Sequence, residues 1–475
     1  MNCFIPLFAS GQSEIDTAFR IACGDLTGNV ALFQDGLLNR PAPVILAGAD
    51  YSSPWTRDAA FNTWYAGFVC PEVARNTLLS VLRKDENGII TIGGEYWDKI
   101  IWAIGAWQYQ LWNEDAAFAS VALEAIEKTL AIMEREERDS ADGLFRGGAC
   151  FQDGISAYPD QFVPPDWGSG IAGYLQNPPP GAVIASTGGG LPMKALSTNV
   201  LCCEAYRIAD RFRRLIGLPE IHAEQASELR SAIHRKFYRA DTASYRYLLE
   251  AGDSAPVRQE GLGYAFALLF GIRPEAIRGE LVSKVYRTAH GLPCVWPQIE
   301  RYAKAAGQYA RHSGTVWPQV NAAWCIALAD NGFRREAWKE TVLLAEKAVR
   351  DGMFHEVYHP DTGLPYGGIQ ENGREKGIVE WASCPRQTWA ATGYIRMVLT
   401  ALLGLRVDSN GLSFSPILPE GCDEIRLEGL HYRKAVVNLT VRHAASSCAA
   451  EERLIPAAAS GTVELTMNVP SYFKE

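Results

Sequence analysis

The sequence predicts a mainly α-helical protein in which paired helices close into a double ring. Helical periodicity dominates from Arg57 to Gly404, where apolar residues recur three and four positions apart. The helical segments come mostly in consecutive pairs, joined alternately by short turns and by long loops rich in Gly, Pro and aromatic residues. No motif recurs with a period of about 34 or 40 residues, which argues against an open solenoid of helix pairs.

Eleven segments carry the helical pattern, and a twelfth is easily missed when one sequence is the only signal. Start signals support several of them: Asn113 precedes an acidic first turn, and Ser197 precedes another segment. The predicted helices are Asp58–Phe68, Val73–Arg83, Tyr96–Trp112, Glu114–Glu136, Thr198–Leu215, Ala223–Tyr238, Gly263–Phe270, Arg278–Ala289, Trp317–Asn331, Glu336–Arg350 and Pro385–Leu403.

The pattern of apolar and polar residues changes on both sides of the helical region. In residues 1–50, Gly, Pro and Asn punctuate short apolar runs such as Val30–Phe33, which predicts short strands and turns. After Gly404, apolar and polar residues alternate as in antiparallel strands. We therefore expect an N-terminal β/loop segment (1–50), a helical domain (51–404) and a small C-terminal antiparallel β element (405–475).

Three long loops interrupt the helix pairs and are too long to be simple connections in a compact domain. They are Ala141–Pro192, Gly291–Thr315 and His355–Ser383. Long loops held by a rigid scaffold commonly build functional sites. The sequence therefore predicts that these loops form the site.

The composition of the chain indicates which classes of partner the protein can bind. The net charge is −9 with a pI of about 5.6, and no block of Lys and Arg interrupts the chain. Nucleic acids and anionic membranes require a positive surface, so neither is expected as a partner. The 13 Trp, 19 Tyr and 18 Phe fit a neutral carbohydrate, whose apolar faces stack on aromatic rings, although a large core explains them equally well.

The cysteines and the N-terminus indicate a reducing compartment. None of the eleven cysteines lies in a CxxC pair, and Cys202 and Cys203 are adjacent, which is poor disulfide geometry. Free, mostly buried thiols are therefore expected. The first ten residues lack a basic region, Glu14 and Asp16 follow soon after, and no apolar run reaches transmembrane length. A cytoplasmic protein is predicted.

Two loop-to-helix junctions combine acids with aromatic residues. In Trp55-Thr56-Arg57-Asp58, Asp58 could cap a helix, or Arg57 and Asp58 could grip vicinal sugar hydroxyls beside Trp55 as a stacking wall. In the run 93–98, Tyr96, Trp97 and Asp98 repeat the pattern. The repetition favours sugar binding at the two junctions, although capping stays open.

Asp153 lies in a glycine-rich loop without the ending of a phosphate-binding loop. It stands between Gln152 and Gly154, close to Phe151 and Tyr158. An aromatic, partly dry setting raises a carboxyl pKa, as a general acid requires. An Asx-turn at Asp-Gly is the structural alternative.

Further signals lie in the second half of the chain. A Val-Trp-Pro-Gln core occurs twice, and Pro at a first helical turn explains its position but not the repeated Trp296 and Trp317. Glu356 precedes a Pro-Asp-Thr-Gly turn, and Trp389 lies in a helix that begins near Pro385. No metal or cofactor is expected, because the histidines around Glu356 lack zinc-ligand spacing.

Five of these motifs, in this order over residues 50–405, resemble the inverting (α/α)6-barrel glycosidases of the processing α-glucosidase type (glycoside hydrolase family 63), with relatives among trehalases and amylo-α-1,6-glucosidases. The motifs are Trp55-Thr56-Arg57-Asp58, the glycine-rich loop with Asp153, Gly314-Thr315-Val316-Trp317-Pro318, the segment from Glu356 to Gly363, and the Cys384-Pro385-Arg386-Gln387-Thr388-Trp389 helix start. The resemblance implies an (α/α)6 barrel, the six-hairpin glycosidase fold.

Carried over by position, the resemblance makes Asp153 the general acid and Glu356 the general base. It places Trp55, Arg57 and Asp58 at the subsite of the released sugar and Trp317 on the floor or wall of the barrel. Phe151-Gln152 stand where the family usually has Gly-Trp, and Glu371 and Glu380 are rival bases. The full predicted binding set is Trp55, Arg57, Asp58, Tyr96, Trp97, Asp98, Phe151, Gln152, Trp296, Trp317, Glu371 and Trp389.

The predicted function is an exo-acting, inverting glycoside hydrolase, an α-glucosidase on small oligosaccharides or glucosides. An α-L-rhamnosidase-like exo-hydrolase shares the fold, as does a disaccharide phosphorylase, which would need an anion site such as Arg311-His312-Ser313. A sugar 2-epimerase uses histidine pairs, but His222 and His234 lie outside the aromatic loops. A non-catalytic carbohydrate-binding protein would keep the aromatic residues and need no acid/base pair.

Overall fold

The computed structural model describes residues 3–94, 96–162, 168–173, 191–249, 257–273, 275–372, 377–444 and 452–470. Within them, twelve α-helices form two concentric rings, so the predicted mainly helical (α/α)6 barrel is confirmed. The helices are α1 (Ser13–Gly28), α2 (Thr56–Ala66), α3 (Pro71–Ser80), α4 (Trp102–Asn113), α5 (Ala116–Glu136), α6 (Leu196–Leu215), α7 (Ala223–Phe237), α8 (Gly261–Leu269), α9 (Arg278–Lys284), α10 (Pro318–Asp330), α11 (Arg334–Asp351) and α12 (Thr388–Ala401).

The inner ring consists of the even-numbered helices, each packed against the next, and α12 closes the ring against α2. These helices are largely buried, and every residue of α2 and α12 is buried. Gly105 lets α4 approach α2 closely, because a Cβ at Gly105 would lie 2.8 Å from the Cα of Ala60. The closed inner ring fixes where each helix begins, and those beginnings carry the site.

The odd-numbered helices form the outer ring and are amphipathic. For example, α1 packs against α12 and α11, whereas α5 and α7 pack against α6. The start of α5 is capped by Asp115, whose carboxylate accepts a hydrogen bond from the main-chain N–H of Phe118 at 2.9 Å. The outer ring thus covers the apolar outside of the inner one.

The helix missing from the eleven predicted ones is α1. It lies in the segment for which only strands and turns were predicted, and that prediction is wrong for Ser13–Gly28. Its apolar face buries Ile15, Phe19 and Leu26 against the barrel. Glycines at 24 and 28 and the short apolar runs around the helix conceal its period in the sequence.

Short strands border the helices, and a sheet lies at the C-terminal side. The strands are β1 (Leu7–Ala9), β2 (Val30–Phe33), β3 (Ala42–Ile45), β4 (Leu82–Lys84), β5 (Ile90–Ile92), β6 (Lys194–Ala195), β7 (Tyr238–Arg239), β8 (Ser244–Tyr245), β9 (Leu248–Leu249), β10 (Gln259–Glu260), β11 (Val295–Trp296), β12 (Ile369–Glu371), β13 (Ile378–Glu380), β14 (Arg406–Val407), β15 (Gly411–Phe414), β16 (Glu424–Tyr432), β17 (Lys434–His443), β18 (Arg453–Pro456) and β19 (Ser460–Val469).

The C-terminal β element is not purely antiparallel. The order of its four-stranded sheet is β1-β16-β17-β19, in which β16 and β17 are antiparallel as predicted but β17 and β19 are parallel. Between them the chain contributes β18 to a separate sheet with β14 and β15, and this excursion lets β19 run in the direction of β17. β1 joins the same sheet from the other end of the chain.

One cysteine pair departs from the prediction of free thiols throughout. Cys3 and Cys70 form a disulfide across 67 positions of sequence, and the other eight described cysteines are free and buried. Among the described residues, no helix is long and apolar enough to cross a membrane, and no group of three His, Cys, Asp or Glu side chains is placed to hold a metal ion.

Candidate active site

A cavity of about 240 Å³ opens where the inner helices begin. The first turns of α2 and α12 and the residue before α10 supply its base, and the described parts of the three long loops supply its walls. Nine predicted site residues line it: Trp55, Arg57, Asp58, Tyr96, Phe151, Asp153, Trp317, Glu356 and Trp389. The two predicted catalytic carboxylates therefore share one cavity, although 203 positions separate them in sequence.

Asp153 is held by an arginine from the first turn of α2. Its Oδ1 lies 3.2 Å from Nη1 of Arg57, and its side chain remains 33% exposed to the cavity. The Nε of the same guanidinium lies 3.7 Å from the buried Asp98. Asp98 in turn accepts a hydrogen bond of 2.7 Å from the main-chain N–H of Phe151. Arg57 thus bridges two carboxylates, one facing the cavity and one behind it.

The pKa of Asp153 lies below its ordinary value. Burial raises this pKa, but the positive charge of Arg57 and the hydrogen bond that Arg57 donates together lower it by more. The predicted upward shift of the Asp153 pKa is therefore wrong. Arg57 lies 96 positions earlier in the chain, so local sequence around Asp153 could not reveal it.

Glu356 is buried and held by two donors. Nη2 of Arg311 lies 2.8 Å from its Oε2, and the hydroxyl of Tyr51 donates to its Oε1 at 2.9 Å. Arg311 is itself fixed, since it also donates to the main-chain oxygen of Gly367 at 2.9 Å. Burial and the negative charge of Glu356 raise the pKa of Tyr51, so its hydroxyl keeps the proton that it donates. The Glu356 carboxylate is therefore fixed at the cavity wall.

Neither rival base lines the cavity. The hydroxyl of Tyr302 donates to Glu371, which occupies the last position of β12, whereas its neighbour Gln370 faces the cavity. Alternation along a strand sends consecutive side chains to opposite faces, which explains this arrangement. Glu380 is exposed on β13.

Aromatic side chains make up much of the remaining wall. Trp317 and Trp389 are buried with ring centroids 6.1 Å apart, and the other aromatic lining residues are Tyr51, Trp55, Tyr96, Phe151 and Trp381. Aromatic faces alternate here with acidic and basic groups. Such a surface suits a molecule with apolar C–H faces and hydroxyl edges.

Five predicted binding residues do not line the cavity. Trp97 is buried in a separate core, where its Nε1 donates to the main-chain oxygen of Ala149. Trp296 stacks on Tyr286 with ring centroids 4.2 Å apart. The other three are Asp98, Gln152 and Glu371, of which the first two are buried immediately behind the cavity wall.

Several lining residues were not predicted as site residues. They are Tyr51, Gly154, Ser169, Gly170, Arg311, His312, Gln370, Trp381 and Gln387. Tyr51 and Gln387 lie in or beside motifs already recognised, so their sequence neighbourhood was a usable signal. Trp381 and Gln370 lie in a loop without any distinguishing pattern.

The triplet Arg311-His312-Ser313 does not form a preorganised anion site. Arg311 is paired with Glu356. Burial lowers the pKa of His312 to about 3, and the positive charge of Arg311 acts in the same direction, although Asp153 opposes it. The hydroxyl of Ser313 accepts a hydrogen bond from the main chain of Ile299 and is fully buried.

Comparison with known families agrees with this geometry. Residues 206–375 match the family model of the mannosylglycerate hydrolase MGH1-like glycoside hydrolase domain, and residues 405–453 match that of the glycosyl hydrolase family 65 C-terminal domain. The chain therefore contains a glycoside hydrolase domain, and the predicted relationship to family 63-like glycosidases is confirmed.

A curated relative shares a shorter stretch. A glucosylglycerate hydrolase of Mycolicibacterium hassiacum is 34% identical over 74 residues, which is 14% of this chain and 15% of that protein. The match thus spans a small part of the relative's length.

Solved structures share the fold. A family 63 mannosylglycerate hydrolase from Thermus thermophilus, in complex with glucose, superimposes with a TM-score of 0.56 at 14% identity, covering 80% of this chain and 99% of that one. A family 78 rhamnosidase of Bacillus sp. GL1 superimposes with a TM-score of 0.54 at 12% identity, covering 98% of this chain and 44% of that one. A protein described as a sialidase superimposes with a TM-score of 0.64 at 15% identity, covering 90% of this chain and 37% of that one. At these identities the likeness concerns the fold.

Proposed function

We propose that this protein is an exo-acting, inverting glycoside hydrolase in which Asp153 is the general acid and Glu356 the general base. The observation that carries the proposal is that one small cavity holds both carboxylates, each fixed by its own arginine, among aromatic side chains. A cavity of about 240 Å³ accommodates a single sugar ring, which favours cleavage at a chain end.

In the proposed reaction, Asp153 donates its proton to the glycosidic oxygen as the bond to the anomeric carbon breaks. Glu356 takes a proton from a water molecule that attacks the same carbon from the opposite face, so the released sugar has inverted configuration. The hydrogen bonds from Arg311 and Tyr51 hold the Glu356 carboxylate in one orientation toward that water. Fixed orientation is the main contribution of such contacts to the rate.

The protonation of Asp153 depends on the bound sugar. In the open cavity, Arg57 favours the ionised carboxylate. A sugar ring in the cavity displaces water and lowers the local dielectric constant, which disfavours the charged carboxylate and raises its pKa. Substrate binding thus helps to load the proton that the leaving group requires.

For the substrate, we propose a glucoside or mannoside of a small aglycone, with glycerate as the first to test. The domain match and the relatives named for glucosylglycerate and mannosylglycerate support this choice over a longer α-glucan. However, both arginines of the described lining are already paired with carboxylates. Neutral aglycones, including those of simple α-glucosides, therefore belong in the same panel.

The test is a panel of glucosides, mannosides and rhamnosides, followed by proton NMR of the first-formed anomer, with and without phosphate. Asp153→Asn and Glu356→Gln should each lower kcat about 10²- to 10⁴-fold, the range typical of a lost acid or base. Glu371→Gln and Glu380→Gln are matched controls with the same change in charge, and each should keep its activity within about threefold.

Three outcomes would contradict the proposal. Retained configuration would exclude the water-activating role of Glu356. Activity that requires phosphate would favour a phosphorylase. Sugar binding that persists in Asp153→Asn, without cleavage of any glycoside by the wild type, would favour a binding protein.

A further inference from the structure

His312 is a rigid part of the cavity wall that the proposed acid/base chemistry does not use. It lines the cavity and is buried, with its ring centroid 5.0 Å from that of Trp317 and 6.0 Å from that of Phe151. Its main-chain N–H donates to the hydroxyl of Ser156 at 3.0 Å. The imidazole is therefore held in one orientation.

The hydrogen bond at Nδ1 defines which ring nitrogen carries the proton. Nδ1 lies 3.2 Å from Oε1 of Gln152, which can only accept. A neutral imidazole carries one N–H, and with the amide oxygen of Gln152 facing Nδ1 the tautomer that satisfies this contact has its proton on Nδ1 and a lone pair at Nε2. Burial keeps the ring neutral, since it lowers the pKa of His312 far below the physiological range.

The Cδ2–Nε2 edge of this cavity-lining ring lies against the main chain of Gly154, the residue after the proposed acid. A Cβ added to Gly154, the residue after Asp153, would lie 2.3 Å from Cδ2 and 2.8 Å from Nε2 of His312. Only glycine therefore fits against this edge, because any side chain at position 154 would overlap the imidazole. Among the described residues, none donates a hydrogen bond to Nε2.

We propose that Nε2 of His312 accepts a hydrogen bond from one hydroxyl of the sugar bound beside Asp153, and that it selects sugars carrying a hydroxyl at this position. The inference rests on the proposed function, because it assigns a specificity-determining residue to the same cavity. A ligand without that hydroxyl would leave a desolvated acceptor without a partner, and this costs about 10- to 100-fold in affinity.

The test compares deoxy and deoxyfluoro analogues of the released sugar, one for each hydroxyl, by their inhibition constants. For wild type, one deoxy analogue should bind about 10- to 100-fold more weakly than the parent sugar. Its deoxyfluoro counterpart should be equally weak, because fluorine cannot donate. In His312→Phe, which keeps a ring of similar shape, the parent and this deoxy analogue should bind within about twofold of each other.

His431→Phe is the control, because His431 stacks on Phe4 away from the cavity and a phenyl ring preserves that packing. It should retain the wild-type discrimination. If thermal melting shows that His312→Phe is unfolded, His312→Leu, which likewise cannot accept a hydrogen bond, replaces it under the same criterion.

Two results would overturn the inference while leaving the proposed hydrolase intact. One is a discrimination that survives in the His312 variants. The other is a deoxyfluoro analogue that binds as tightly as the parent, which would mean that His312 donates. If the parent sugar fails to inhibit the wild type at all, the proposed function fails first, and the inference fails with it.

Discussion

Asp98 offers a direct test of how the proposed acid is tuned, because it acts on Asp153 only through Arg57. The two carboxylates lie on either side of the guanidinium, at 3.7 and 3.2 Å from its nitrogens. Asp98→Asn keeps an oxygen that can accept the main-chain N–H of Phe151, so the loop geometry is retained. The substitution removes one negative charge and leaves the shape unchanged.

The expected magnitude follows from Coulomb's law. Two unit charges about 8 Å apart repel by about 2 kcal/mol at an effective dielectric constant of about 20. This corresponds to a factor of about 30 in the protonation equilibrium of Asp153. Losing the repulsion from Asp98 stabilises ionised Asp153, so the pKa of Asp153, already below its ordinary value, falls further. At a pH above that pKa, the protonated fraction of Asp153 in Asp98→Asn is about 30-fold smaller than in wild type.

The assay is the pH profile of kcat/KM for wild type and Asp98→Asn. The variant should lose about 30-fold at pH 7, and the loss should diminish as the pH approaches the lowered pKa of Asp153. Asp35→Asn, at an exposed ion pair with Arg83, is the control for a change in net charge and should leave the profile unmoved. A loss of equal size at every pH would indicate a structural defect, and unchanged or higher activity at pH 7 would refute the coupling.

Two predictions concern stability. Gly105→Ala should destabilise the barrel by about 1–3 kcal/mol, because the added methyl group meets the main chain of Ala60. Gly24→Ala, at an exposed site of α1 with open space around it, should instead stabilise the protein by about 0.5–1 kcal/mol. Thermal melting measures both variants, and equal effects would contradict the close approach of α2 and α4. Cys70→Ser should cost about 2–4 kcal/mol of unfolding free energy, and reductant should lower the melting temperature of wild type but not of the variant. A wild type insensitive to reductant would show that Cys3 and Cys70 are not joined.

The helical barrel could be predicted from the sequence because the pattern that identifies a helix is local. Helical periodicity repeats within each segment, and all eleven predicted segments correspond to observed helices. The parallel pairing of β17 with β19 was not predictable in this way, since it depends on where the intervening chain travels. The Cys3–Cys70 bond likewise joins positions that only the folded chain brings together.

In the candidate site, too, local features could be predicted from the sequence and features that depend on distant residues could not. Asp153, Glu356 and their aromatic neighbours are recognisable from motifs in a fixed order. The pKa direction of Asp153 was missed because it depends on Arg57, which approaches from another helix. Trp97 and Trp296 share the loop settings of the true lining residues but pack elsewhere, and no one-dimensional pattern distinguishes them.

Closure of the inner ring has a consequence for how this protein is made. The cavity draws on residues from Tyr51 to Trp389, and α12 must pack against α1 and α2 before the ring is complete. A chain emerging from the ribosome therefore exposes the apolar flanks of its first helices until the last one has been synthesised. Contacts between such distant segments slow folding and leave the unfinished chain prone to aggregation. We expect the nascent barrel to depend on chaperones until α12 is released, and to acquire a working cavity only in that final step.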